Sequence, residues 1–111
     1  MANPQKAKGS KAEHEVKQFL IREGFPCERI PAGAKFDRGD LFVPVIEMPT
    51  IDVKDCRTME LAAWVDRAAE QAHNAGRHVG VVWHKRRGHT DPADWYVTMT
   101  GLGLVRLVRG H

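Results

Sequence analysis

Residues 50–56 read T-I-D-V-K-D-C, a short segment in which an acid and a lysine alternate with aliphatic residues. In a β-strand, residues two apart point to the same face. Asp52 and Lys54 then stand side by side, while Ile51 and Val53 face the other way. Such a segment is either a surface strand with a salt bridge or the centre of an active site, and taken alone it leaves both open. Its neighbours supply a fold. Residues 41–47, L-F-V-P-V-I-E, read as the preceding strand, with Pro44 marking an edge or bulge and M-P-T forming the turn between them. If the two strands pair as a hairpin, Asp40 lies near its open end and Asp52 near its turn. Residues 58–75 read as a helix, with Met59, Ala62, Ala63, Val65, Ala69 and Ala72 as its apolar stripe and Gly76 as its stop.

Upstream, Ser10 and Glu13 form an S-x-x-E capping box, and Val16, Phe19 and Leu20 follow at helical spacing. Gly24 ends that helix and Pro26 prevents its resumption. C-E-R-I (27–30) is a short strand, and P-A-G-A-K-F-D-R-G-D (31–40) a loop. Downstream, H-V-G-V-V-W-H (78–84) reads as a buried strand, followed by a polar loop and the strand W-Y-V-T-M (95–99). The tail, 101–109, reads as a helix with Leu104, Leu107 and Val108 on one face. The order is α-β-β-β-α-β-β with a closing helix. Hairpins followed by a helical crossover predict an α/β fold, a mixed β-sheet flanked by helices.

A chain of 111 residues has material for one domain, here 1–111, with 1–10 as a loose N-terminal arm. The longest apolar run, 41–46, is six residues and contains Pro44, too short to span a membrane. The N-terminal residues include Lys but no apolar stretch of the kind a secretory signal needs. Cys27 and Cys56 form no C-x-x-C, which predicts reduced thiols in a cytoplasmic protein rather than a zinc site. The net charge is only +3, but its distribution is uneven. Lys6, Lys8 and Lys11 lie in an N-terminal stretch without acids, and Arg77, Lys85, Arg86 and Arg87 in a second one at 76–89. The acids gather at 13–15, 37–60 and 66–70. Basic patches beside an acidic cluster suit a protein that grips polyphosphate next to a metal. Either patch alone is also ordinary solubilising charge.

The candidate chemistry rests on Glu13, Asp40, Asp52 and Lys54. Phosphodiester hydrolysis develops negative charge on the phosphate oxygens, and a divalent ion held by carboxylates stabilises it. Magnesium prefers hard oxygen ligands and keeps several waters, so two or three carboxylates suffice. A lysine beside them can orient the attacking water and offset phosphate charge. Each residue also has a plainer reading. Glu13 completes the capping box, and Glu15 is its lesser rival as the helix-borne acid. Asp37 competes with Asp40, which is preferred because the apolar strand starts directly after it. Gln71 either faces solvent or approaches the site; Lys85, Arg86 and Arg87 either grip phosphate or form a simple turn. His84, His89 and Asp91 match no metal-ligand spacing and read as surface residues, and Trp64, Trp83 and Trp95 as core or dimer interface.

Three stretches together carry a family resemblance: K-G-S-K-A-E-H-E-V-K-Q-F-L-I-R-E-G-F-P-C-E-R-I (8–30), G-D-L-F-V (39–43) and I-D-V-K (51–54). As a set they resemble the PD-(D/E)xK nuclease superfamily, and within it the archaeal-type Holliday junction resolvases, including the small phage-encoded ones. The resemblance implies a restriction-endonuclease-like fold. It implies that Glu13, Asp40 and Asp52 bind magnesium or manganese, and that Lys54 completes a catalytic set cutting DNA to leave a 5′-phosphate. It further implies a homodimer that places paired symmetric nicks across a four-way junction, in the cytoplasm of a cell or of a phage host. Lys8, Ser10, Lys11, Arg38, Lys85, Arg86 and Arg87 are the expected DNA contacts. The sequence departs from the pattern in four ways. Gly39 replaces the Pro of P-D, Asp52 is the shorter of the permitted acids, Ala34 stands where a Ser is common, and the loop before Asp40 is longer.

Overall fold

The strand that carries Asp52 lies at the middle of a five-stranded mixed sheet, with strand order β1-β2-β3-β4-β5. The computed structural model describes residues 4–110 apart from Ala32, Ala34 and Lys35, so the expectation concerning Ala34 lies outside the described residues. In chain order the elements are α1 (Pro4–Arg22), β1 (Glu28–Arg29), β2 (Leu41–Phe42) and β3 (Thr50–Lys54). Then come α2 (Leu61–Ala75), β4 (Gly80–His84), β5 (Tyr96–Thr98) and α3 (Gly101–Arg109), with a 3-10 turn at Pro92–Asp94. Strands β1, β2 and β3 form an antiparallel meander. β3 and β4 pair in parallel, and β5 returns antiparallel to β4. Parallel neighbours need a crossover, and α2 supplies it. The α/β class and the element order agree with the sequence expectation, including the final helix.

Alternation along β3 divides the molecule into two layers. Ile51 and Val53, with Leu41 and Val81, pack against Ala12, Val16 and Leu20 of α1, joined by Trp95. On the opposite face Val82 packs against Trp64 and Ala68 of α2. α2 presses closely onto β4 there: a Cβ at Gly80 would lie 1.9 Å from the carbonyl oxygen of Ala68, so only glycine fits. Among the described residues, no helix is long and apolar enough to cross a membrane.

Three local expectations are corrected. α1 begins at Pro4, so Ser10 and Glu13 lie inside the helix and form no capping box, and most of the segment expected to be a loose arm is helical. Proline is well suited to a first helical position, since its missing N–H would be unpaired there anyway. The strand expected over 41–47 stops at Phe42. Pro44 cannot donate to a ladder, Val45 turns back to the Val43 carbonyl at 2.8 Å, and Met48 to that of Val45 at 3.0 Å. The carbonyls freed by this departure are taken by Arg77, whose guanidinium donates to Val45 (2.6 Å), Met48 (3.0 Å) and Val43 (3.2 Å). Finally, the buried stripe of α2 is Trp64, Ala68, Gln71 and Ala72, whereas Met59, Ala62, Ala63 and Ala69 are exposed. The true stripe repeats at i, i+4, i+7 and i+8, the spacing of one helix face.

Candidate active site

The short hairpin decides where the acids stand. Leu41 pairs with Ile51, so the next position outward sets Asp40 across from Asp52. The Asp40 N–H donates to the Ile51 carbonyl at 2.9 Å. Its carboxylate Oδ2 accepts from the Val53 N–H at 2.7 Å. Asp52 is therefore not removed from Asp40 towards a turn, as a long hairpin would require. The paired part of β2 is only two residues long, and its open end and its turn end nearly coincide.

Every residue of β3 before Lys54 is buried, so its polar face does not look into open solvent. Asp52 accepts a hydrogen bond on Oδ1 from Gln71 Nε2 at 3.2 Å. Its Oδ2 lies 3.4 Å from Lys54 Nζ and, among the described residues, has no hydrogen-bond partner. The Asp40 carboxyl is pushed up to about 9. Burial is the largest cause, followed by the Asp52 charge and the closeness of the Asp52 carboxylate, which favours the protonated acid; the Val53 N–H opposes the shift and Glu13 adds to it. Two carboxyl groups thus face one another, and one retains its proton at neutral pH.

Asp37, the rival of Asp40, is drawn towards α2. Arg67 Nη2 lies 2.8 Å from its Oδ2, and Gln71 Nε2 donates to the same oxygen at 2.9 Å. Burial raises the Asp37 carboxyl, but the Gln71 and Gly39 hydrogen bonds and the Arg67 charge outweigh it, and the net shift is downward. Gln71 is buried and bridges Asp37 to Asp52, so of its two sequence readings the approach to the site holds and the solvated one does not. Arg67 was not anticipated, although its spacing of four from Gln71 puts both on one helix face. Gly39 has φ +92°, a conformation closed to proline, and its N–H donates to Asp37 Oδ1 at 3.0 Å. The departure from P-D therefore has a backbone cause.

Glu13 reaches the same cleft from α1 but is held by Arg29, whose Nη2 lies 2.7 Å from its Oε2. The same nitrogen donates to Ser10 Oγ at 3.3 Å. Glu15 is turned away, pairing with Lys11 at 3.9 Å. Among the described residues, no three His, Cys, Asp or Glu side chains are grouped so as to hold a metal ion. The donor set nevertheless suits a hard divalent cation. Two facing carboxyls, one kept neutral by burial and by the other's charge, and a buried carboxylate oxygen without a hydrogen bond favour an added positive charge.

A cleft of about 550 Å³ opens above these residues, lined by Lys6, Ser10, Glu13, Arg29, Arg38, Asp40, Lys54 and Arg67 among others. Arg38 is thus brought to the acids, whereas Lys11 is not. Lys8, Lys85 and Arg87 line a separate concavity beyond the end of β3, and Arg86 lies over the Tyr96 ring with 5.4 Å to its centroid. Arg77, part of the second basic stretch, is a structural residue of the sheet edge. His84 is buried rather than on the surface; its Nε2 lies 2.8 Å from Thr98 Oγ1, and burial lowers its pKa. His89 lies 3.9 Å from Asp94, and Asp91 caps the 3-10 turn through the Ala93 N–H. Trp64 and Trp95 are buried, and Trp83 packs edge-on against Phe19, so all three belong to the chain's own interior.

No family model, curated protein or solved structure matches this chain.

Proposed function

We propose that the chain is a divalent-metal-dependent endodeoxyribonuclease with a restriction-endonuclease-like fold, acting as a homodimer to resolve four-way DNA junctions. The observation that carries this reading is the placement of Asp40 across from Asp52, with Lys54 on the same strand face and 3.4 Å from Asp52. A D-x-K strand is common as a surface salt bridge, but here it is buried beneath a cleft with cationic walls. Burial of paired carboxyls costs stability unless a ligand uses them.

Asp40 and Asp52 would hold magnesium or manganese, with Glu13 as the third carboxylate. The bound ion would supply Lewis-acid stabilisation of the phosphate and a more acidic water. Lys54 would contact the same phosphate through its ammonium and position the attacking water. Gln71 fixes the Asp52 carboxylate from the helix side, leaving Oδ2 for the ligand. Arg38, Arg67 and Lys6 offer the cleft's charge to the DNA backbone.

One observation favours a second reading. The Glu13–Arg29 ion pair leaves two carboxyls rather than three facing each other, as a nucleic-acid-binding module without catalysis would tolerate. Incubation with magnesium and labelled junction, flap, duplex and single-stranded DNAs separates the readings. Paired symmetric nicks in the junction support the resolvase. Cutting of flaps or duplex instead points to a nuclease with another target, and binding without cutting to the silent module.

A further inference from the structure

Beyond Lys54 the chain turns into a second concavity, of about 480 Å³, that the acids do not share. Lys8, Arg57, Lys85 and Arg87 line it, against the single carboxylate of Asp55. We propose that this concavity is a phosphodiester subsite, which seats a backbone phosphate of the same DNA strand that lies in the acidic cleft. The inference rests on the nuclease reading for the identity of the strand, and it brings in Arg57 and Asp55.

The arrangement of Asp55 indicates the ligand chemistry. Its two oxygens are approached separately, Oδ1 by Lys8 Nζ at 3.7 Å and Oδ2 by Lys85 Nζ at 3.8 Å. Both distances are too long for strong hydrogen bonds, so the ammoniums keep donors for another anion. A phosphodiester also presents two charged oxygens, and Arg57 and Arg87, both exposed, add planar donors suited to it. The seat has firm walls. The Lys85 N–H donates to the Lys54 carbonyl at 2.9 Å, which ties the basic loop to the end of β3. Lys85 also lies over the Trp95 ring, 5.5 Å from its centroid.

Position selects DNA over a free anion. Lys54 lines the acidic cleft and the adjacent Asp55 lines the concavity, while Lys6 and Lys8 on α1 divide between the same two sites. A strand crossing the end of β3 therefore passes from one to the other. Asp55 acts as the resident counter-charge that an arriving phosphate displaces.

The test measures binding with the Asp52→Asn chain and a labelled duplex in the absence of divalent metal. Arg57→Ala combined with Arg87→Ala should weaken affinity about tenfold near 0.1 M salt and reduce the log–log salt slope by roughly one to two. The Arg→Lys pair should keep the slope. Asp55→Asn should tighten binding severalfold, and more than Glu70→Gln, which removes an equal charge elsewhere. Unchanged affinity and slope in the double Ala variant would overturn the subsite, as would equal effects of Asp55→Asn and Glu70→Gln. A seat titrated by inorganic phosphate, with DNA binding unmoved by the same variants, would also refute it. Failure of the unmodified chain to cut any DNA in magnesium would sink the nuclease reading and leave these binding results intact.

Discussion

Asp40 titrates in the wrong range for a free carboxylate, and the sign of that displacement is testable. Its carboxyl moves from an ordinary 3.8 to about 9 because burial and the Asp52 charge oppose ionisation. A raised folded pKa means the stabilisation is complete below about 4 and is lost as pH climbs towards 9. Asp40→Asn keeps a neutral acceptor for the Val53 N–H and removes that loss. In chelator at pH 8 the variant should melt higher than the unmodified chain by at least roughly 5 °C, and at pH 4 the gap should close. Equal gaps at both pH values would contradict the assignment. Magnesium at pH 7 should displace close to one proton per site, read by calorimetry in buffers of different ionisation enthalpy. Asp52→Asn should abolish cleavage while sparing DNA affinity, since only a carboxylate is lost. Lys54→Ala should slow cleavage by roughly a hundredfold with similar binding. Wild-type rates from Asp52→Asn in magnesium would remove this strand from the chemistry.

At the scale of elements, β3 was legible because its alternation is strict, and the helices because their apolar residues recur. The partner strand was not. Nothing in L-F-V-P-V-I-E announces that Arg77, thirty residues later, supplies donors to the carbonyls of Val43, Val45 and Met48. That tertiary contact lets the strand stop at Phe42, and the short pairing is what sets Asp40 across from Asp52. The choice between the two readings of Gln71 was undecided for a related reason. A polar residue on a helix reads as solvent-facing until the acids beneath it are known. Arg77 stands in the second basic stretch beside the expected DNA contacts of the 85–87 loop. Arg77→Ala should instead cost roughly 2–3 kcal/mol of unfolding free energy by chemical denaturation, because three carbonyls lose a charged donor. Arg77→Lys should recover only part of it, since an ammonium lacks the planar fork. DNA affinity per folded molecule should stay unchanged; a loss matching that of the Lys85 loop would make Arg77 a contact after all.

For the molecule as a whole, the resolvase proposal requires one site of this size to treat a junction with two-fold symmetry. On the proposed reading, paired nicks need two active sites, and the described residues form one acidic cleft. Two copies across a two-fold axis are the economical solution. Trp64 and Trp95 do not provide the contact, because both are buried in the chain itself. Among the described residues, exposed apolar side chains include a group on α3 and the edge strand β5. Leu102, Leu104 and Val105 are about half exposed and Val108 is 80% exposed, and on β5 Tyr96 and Val97 are exposed as well. α3 is anchored by Leu107 and the buried Gly103, so this face is presented by a fixed element rather than a frayed tail. Exposed apolar surface of this kind commonly marks association. Sedimentation at micromolar protein should therefore report a mass near twice 12.5 kDa. Leu104→Asp with Val108→Asp should convert it to monomer, and paired nicking should give way to single nicks at one arm. A chain that is monomeric both free and on junction DNA, and that nicks flaps as readily as junctions, would exclude the resolvase and leave a flap or duplex nuclease in its place.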